Sequence, residues 1–360
     1  MNRTVSILLF ALLLSRPAQG AEIQLLQDTR FAEGFGAAFI YGKEYSGGRR
    51  PPQGKFTAYR DIHPWQVHLI PDGPIGQVGA TTHPWDFQEG YHNRYRNKRG
   101  QFVQELHAHR LVVNHLIETN TPNKLQFVQY NNDGLPKGDP RRNTRLVKRV
   151  TTDRQGNLRI FYNSQNEIRN AAISHSARWA RDTWPHFLVN QRFLDPIPLE
   201  DFDRLDFSVT YQVDRMKKLS NWPNMIKRAA RSGMNLKFMF FLRNRSNLDQ
   251  KLFAGMMLYT SRPKAWAPHL GVEQHGNVFY RESVAPDGKN TPKLGESRSV
   301  TRELKTMLTE AIRQAREKQP ELSADLESYA LYNFSIGFEG MGHWEAEALI
   351  SNLALSGNSR

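Results

Sequence analysis

The stretch Arg204–Asp214 reads RLDFSVTYQVD and changes character at every step. Leu205, Phe207, Val209, Tyr211 and Val213 fall on one side of an extended chain, and Asp206, Ser208, Thr210, Gln212 and Asp214 on the other. Successive strand side chains point to opposite faces, so this segment covers a core with one face and meets polar surroundings with the other. A helix would scatter both sets around its axis. Further strand-like runs occupy 186–193, 234–244, 251–261, 329–338 and 344–355, parted by turn residues. Together they predict an all-β chain, a β-sandwich or jelly roll.

Alternation also assigns faces. In 329–339, Tyr332, Phe334, Ile336 and Phe338 fall on one side, while Asn333, Ser335, Gly337 and Glu339 form a polar stripe. In 186–193 the stripe is His186, Asn190 and Arg192, against Phe187, Val189 and Phe193. The run MNLKFMFFL (234–242) is apolar on both faces, which suits a strand in the middle of a covered sheet. A Gly-rich hairpin is expected over Glu339–Gly342, leading into a strand that carries Glu345 and Glu347.

One peripheral amphipathic helix is predicted in 299–319. Leu304, Met307, Leu308, Ala311, Ile312 and Ala315 recur at helical spacing, Ser299 or Thr301 serves as N-cap, and Pro320 is the stop. Its stripe is expected on the outside of the sandwich. A shorter helix is expected over 166–182. In the first half, 63–70, 107–119, 124–134, 144–153 and 157–165 read as strands, and 41–56 and 84–101 as long aromatic and basic loops.

The first 20 residues carry Arg3, an apolar run from Val5 to Leu14 and then small residues, the layout of a secretory signal peptide too short to span a bilayer. The expectation is a secreted or periplasmic protein with one extended β-sandwich domain over 21–360 and a possible sub-boundary near 150–180. No later stretch is apolar enough for a transmembrane segment. With no cysteine, disulfides and thiolate chemistry are excluded. The formal net charge of +14, of which the leader's arginines supply two, favours a polyanionic partner. Acids and bases are interspersed and no nucleic-acid motif is present, so the expected partner is a polysaccharide or cell-envelope glycan and not nucleic acid.

Three groups of residues carry candidate chemistry. Glu339 sits where a general acid or nucleophile would reach an extended sugar chain. Glycoside hydrolysis needs a second carboxylate, for which Asp206, Glu345 and Glu347 are candidates. The segment 163–193 gathers Asn166, Arg169, His175, Trp184, His186, Asn190 and Arg192, and Gln212 joins them as a candidate sugar contact. A polysaccharide lyase needs an Asn, Gln or Arg to neutralise a uronate carboxylate and a His, Tyr or Lys to take a proton, so the same residues serve that chemistry. Solvated acids, caps and sheet hydrogen bonds are the competing explanation. The motif HPW occurs twice, and Trp65 and Trp85 are candidate stacking platforms for sugar rings, with Asp86 beside the second; plugs of the core are the alternative. His107 and His109 would share a strand face, but without further ligands no metal site and no cofactor are expected, a structural divalent cation being left open. Serine-hydrolase elbows, phosphate-binding loops, dinucleotide-binding glycines and HExxH are missing.

The run SIGFEGMGHWEAEALISNLAL (335–355) resembles the closing strands of concanavalin-like jelly rolls, the fold of many secreted glycoside hydrolases, several polysaccharide lyases and lectin-type modules. The resemblance covers mainly the C-terminal half. It implies a carbohydrate-active protein and, in some members, a catalytic Glu on such a strand, which carries over to Glu339 alone. The E-x-D-x-x-E signature of laminarinase-like families is absent, which leaves the second carboxylate unassigned. An exported enzyme cleaving a polysaccharide, by hydrolysis or elimination, is therefore the first expectation; a non-catalytic glycan-binding or envelope protein using the same sheet face is the second.

Overall fold

The computed structural model describes residues 22–31, 35–39, 85–96, 102–107, 113–121, 124–131, 138–141, 144–153, 155–168, 183–220, 233–262, 266–272 and 278–360. In chain order the strands are β1 (Glu22–Gln24), β2 (Phe35–Phe39), β3 (Trp85–Arg96), β4 (Phe102–His107), β5 (Val113–Thr121), β6 (Lys124–Asn131), β7 (Leu146–Thr152), β8 (Leu158–Asn163), β9 (Thr183–Pro198), β10 (Phe202–Ser220), β11 (Gly233–Asn244), β12 (Lys251–Thr260), β13 (His269–Val272), β14 (Val278–Ser283), β15 (Ser297–Glu303), β16 (Tyr329–Met341) and β17 (His343–Ser359). The helices are α1 (Ser164–Ile168) and α2 (Leu304–Arg316).

These strands make an all-β sandwich of jelly-roll type. The first sheet runs β15-β10-β17-β8-β7-β6-β5, with β1 also on β17; the second runs β13-β14-β12-β11-β16-β9-β3-β2, with β4 also on β3. Each sheet mixes strands from both halves of the chain. The core lies between them: Leu205, Phe207, Val209, Tyr211 and Val213 of β10 are all buried, as the alternation predicts. The Phe207 ring lies 4.3 Å from Phe238 and 5.4 Å from both Phe240 and Phe334, which ties one sheet to the other. Burying each such ring is worth roughly 1.5–3 kcal/mol in transfer terms. β11 is central in its sheet and buried on both faces through Phe240, as its composition requires.

Lys148 is buried inside the sandwich, its Nζ 5.6 Å from the Tyr162 ring centre and 5.3 Å from that of Phe187. Aromatic faces carry negative charge density that favours an ammonium, and its aliphatic stem packs as an apolar chain does.

Several expectations need correction. Residues 85–96, expected in a loop, form β3, which continues the second sheet beyond β9. The apolar stripe of α2 does not lie outside the sandwich: Leu304, Met307, Leu308, Ala311, Ile312 and Ala315 belong to the main core, and the helix touches β10 and β15 of one sheet and β12 and β14 of the other. It closes one side of the sandwich. Its N-cap is Glu303, whose carboxylate accepts the amides of Lys305 and Thr306, while Ser299 and Thr301 belong to β15. Of the second expected helix, Ser164–Ile168 is helical and 169–182 lie outside the described residues.

The expected hairpin at 339–342 is instead a corner between sheets. β16 belongs to the second sheet and β17 to the first, and Gly342, at φ 89°, makes the turn that a side chain would oppose. A register shift between Leu331 and Asn333 likewise breaks the predicted alternation: Leu331 and Phe334 are in the core, whereas Tyr332 and Asn333 are only partly buried and the Arg243 guanidinium lies 5.2 Å from the Tyr332 ring.

Candidate functional site

The outer face of the second sheet carries the predicted polar stripe. On β16, Asn333, Ser335, Gly337 and Glu339 stand opposite Phe241, Met239, Lys237 and Asn235 of β11 on one side. On the other side they stand opposite Arg192, Asn190, Leu188 and His186 of β9. Glu339 thus lies between Asn235 and His186 on one rung across three adjacent strands. Directly paired Cα atoms in antiparallel strands are about 4.5–5.5 Å apart, so these side chains are neighbours.

Charge is concentrated around Glu339. The Lys237 ammonium, itself nearly buried, makes an ion pair with the Glu339 carboxylate and lies 4.9 Å from the centre of the Phe279 ring. Arg281 belongs to the same electrostatic neighbourhood: burial pushes its guanidinium down to about 10, against the pull of the Glu339 carboxylate and with a contribution from the Arg262 cation. Asn235 accepts a 2.7 Å hydrogen bond from the Thr260 hydroxyl. Nearby, Ser335 is 1% exposed and its Oγ has no hydrogen-bond partner among the described residues. A buried hydroxyl left so costs on the order of 1–3 kcal/mol.

Backbones approach closely here. A Cβ on Gly337 would stand 2.4 Å from the Phe187 carbonyl oxygen, so only glycine fits between Lys237 and Leu188.

The structure gathers some predicted residues and separates others. Glu339, His186, Asn190 and Arg192 share the outer face of the second sheet. Asp206 and Gln212 lie in β10 of the first sheet, whose outer face is turned the other way. There the Asp206 carboxylate binds the Arg204 guanidinium at 2.5 Å, and Gln212 donates to Asp214 at 2.6 Å. Neither meets Glu339. Glu345 and Glu347, carried onto the first sheet by the corner at Gly342, bind Arg215 at 2.7 Å and Arg149 at 3.0 Å.

Trp85 is no sugar platform. It is fully buried against Phe31 and Phe334, and its indole N–H donates to the Asp28 carbonyl at 2.9 Å. Asn163 caps α1, its Oδ1 accepting the Asn166 backbone N–H at 2.9 Å, and the Asn166 side-chain amide donates to the Leu146 carbonyl at 2.8 Å. Only the backbone of Trp184 is described, opposite His92 in register; Trp65, Arg169, His175 and His109 lie outside the described residues.

No second carboxylate accompanies Glu339 among the side chains described on this face. Asp86 stands opposite Asn190, two strands and four residues away from the rung of Glu339, which puts its backbone roughly 16 Å off at ~4.8 Å per strand and ~3.3 Å per residue. Paired carboxylates in glycoside hydrolysis stand about 5–9.5 Å apart. Among the described residues no three His, Asp or Glu side chains cluster as a metal site.

Lys237 and Arg281 were not among the residues singled out from the sequence. Lys237 had a signal, as the one charged residue inside an otherwise apolar run; Arg281 had none, because its strand is short and its partner strand runs parallel.

No family model and no curated protein matches this chain. Its fold is similar to solved structures that include a family 12 xyloglucanase from Bacillus licheniformis, at 10% identity and TM-score 0.36 over 67% of this chain and 95% of that one. Others are the family 11 xylanase from Neocallimastix patriciarum, at 10% identity and TM-score 0.32 over 67% and 94%, and the endoglucanase Cel12A from Rhodothermus marinus, at 10% identity and TM-score 0.31 over 64% and 90%.

Proposed function

We propose that this is an exported carbohydrate-active protein that binds an anionic polysaccharide along the outer face of the second sheet and cleaves it by β-elimination. The observation that carries this reading is the chemistry around Glu339: a carboxylate held in an ion pair by Lys237, with no second carboxylate beside it among the described side chains and with His186 directly opposite on the neighbouring strand. The ion pair occupies the Glu339 carboxylate, and no second carboxylate is described on this face to complete a hydrolytic pair. Elimination asks for other groups. A base takes the proton next to a uronate carboxylate, the electrons form a carbon–carbon double bond, and the glycosidic C–O bond breaks, its oxygen leaving with a proton from an acid.

In this reading His186 is the base, Asn190 and Arg192 hold the uronate carboxylate, and the Glu339–Lys237 pair fixes the polar wall opposite. A histidine is suited to the task because its ordinary pKa lies near neutrality. The export step rests on the leader-like first 20 residues and the preference for an anionic polymer on the chain's positive charge.

Incubating the purified protein with a panel of polyuronates tests the proposal. Ultraviolet absorbance from an unsaturated product, lost in His186→Ala, is the expected result. New reducing ends without that absorbance would establish hydrolysis instead. Retention on a polymer with no product from any would favour the second reading, a non-catalytic glycan-binding protein. That reading draws support from the 2% exposure of His186, which leaves little room for a substrate proton to reach it.

A further inference from the structure

We infer that a second patch on the same sheet, the aromatic row Phe279–Phe253–Phe241 with Arg243 and Lys251 along its border, is a binding platform for an anionic polysaccharide. The three phenylalanines occupy directly paired positions on three consecutive strands, β14, β12 and β11. They therefore form a line about 10 Å long across the strands. None belongs to the core between the sheets, and all three are only partly buried. Phe241 and Phe253 meet edge to face with ring centres 4.7 Å apart, which holds the row rigid.

One step along the strands, Arg243 stands opposite Lys251. Among the described residues neither is bonded to a carboxylate; Arg243 lies over the Tyr332 ring at 5.2 Å. At the end of the row Asn333 stands opposite Phe241, and its Oδ1 is shielded from water without a hydrogen-bond partner among the described residues. An apolar line bordered by two cations matches an acidic sugar chain, whose C–H faces pack on rings while its acid groups meet the cations.

The row is continuous with the site around Glu339 through Lys237, which touches both the Glu339 carboxylate and the Phe279 ring. Yet Asn333 and Glu339 are six residues apart on β16, about 20 Å. The platform therefore goes beyond the proposed chemistry, holding the polymer at a distance from it, although the choice of an anionic glycan rests on the same reading of charge.

Affinity electrophoresis of the full chain in gels containing polygalacturonate, alginate or dextran sulfate tests this, with methyl-esterified polygalacturonate as the uncharged twin. Wild type should be retarded by at least one anionic polymer. Phe253→Ala should weaken that binding about tenfold, the loss expected for one well-packed aromatic contact. Arg243→Gln combined with Lys251→Gln should weaken binding to the anionic polymer while leaving weak retardation by the esterified one. This double variant alters partly exposed side chains and keeps the fold, which near-ultraviolet circular dichroism checks. Wild-type retardation in both variants, or none of wild type in any anionic gel, overturns the proposal. Cleavage is read separately, from the ultraviolet absorbance of wild type with the same polymers: retardation without product leaves the platform standing, and product without retardation overturns it.

Discussion

The outer faces of the two sheets handle charge in opposite ways. On the first sheet, Arg149 pairs with Glu347, Arg159 with Asp214, Arg215 with Glu345 and Arg204 with Asp206, and the arginines remain well exposed. Each is worth only about 0–1 kcal/mol in such a setting, and the ladder reads as a solvated surface whose charges cancel. On the second sheet, among the described side chains, Lys237, His186, Asn190, Asn235 and Ser335 are all buried. Polar groups placed there cost more and must be held by specific partners. A stripe that looks alike in sequence is trim on one sheet and a built environment on the other.

That contrast can be broken by measurement. The largest effect is expected for Lys237→Met, which leaves the Glu339 carboxylate without its ammonium and should cost about 3 kcal/mol in denaturant unfolding, with much of the loss restored by adding Glu339→Gln. If Lys237→Met costs no more than Arg215→Met on the other sheet, the two faces do not differ. Gly337→Ala should cost about 2 kcal/mol, because its new methyl meets the Phe187 carbonyl. Glu303→Ala removes the α2 cap and should cost about 1 kcal/mol.

Acid titration sharpens the last of these. Burial pushes the Glu303 carboxyl up, but hydrogen bonds from Thr306, Leu205 and Lys305 outweigh it and hold the group below the ordinary value of 4.5. Its folded pKa is thus depressed, so its contribution is present above the unfolded value and is lost as pH falls through the folded one. The stability gap between wild type and Glu303→Ala should narrow as pH falls below the ordinary carboxylate value of 4.5 and close once the folded-state group is protonated, in pH-dependent unfolding. Smallest of all, Arg215→Ala should change stability by about 0.5 kcal/mol or less.

The sequence made the strands of the second half legible because each carries its own period-two pattern, and β10 behaves residue for residue as its alternation says. Where the pattern misled, the cause was a feature that alternation does not encode. The register shift at Leu331–Asn333 turned Tyr332 outward, and the corner at Gly342 sent Glu345 and Glu347 to the other sheet. A glycine-rich joint reads the same whether it reverses a strand beside itself or passes it across a sandwich. Asp206 was misassigned for a related reason: periodicity says that two residues are polar-facing, never that they face the same side of the molecule. The helix was found, but its stripe alone could not reveal that it meets two sheets at once.

β17 also sets the order in which the molecule can be completed. It pairs with β10 along most of its length, with β8 at one end and with β1 at the other, where Glu22, Ile23 and Gln24 meet Asn358, Gly357 and Ser356. The Leu355 amide donates to Gln24 Oε1 across 331 residues. Such long-range closure is slow, since the entropy of the intervening loop must be lost before the contact rewards it. The first sheet therefore stays open along a central seam until β17 is in place, and β1, β8 and β10 share no common partner before it.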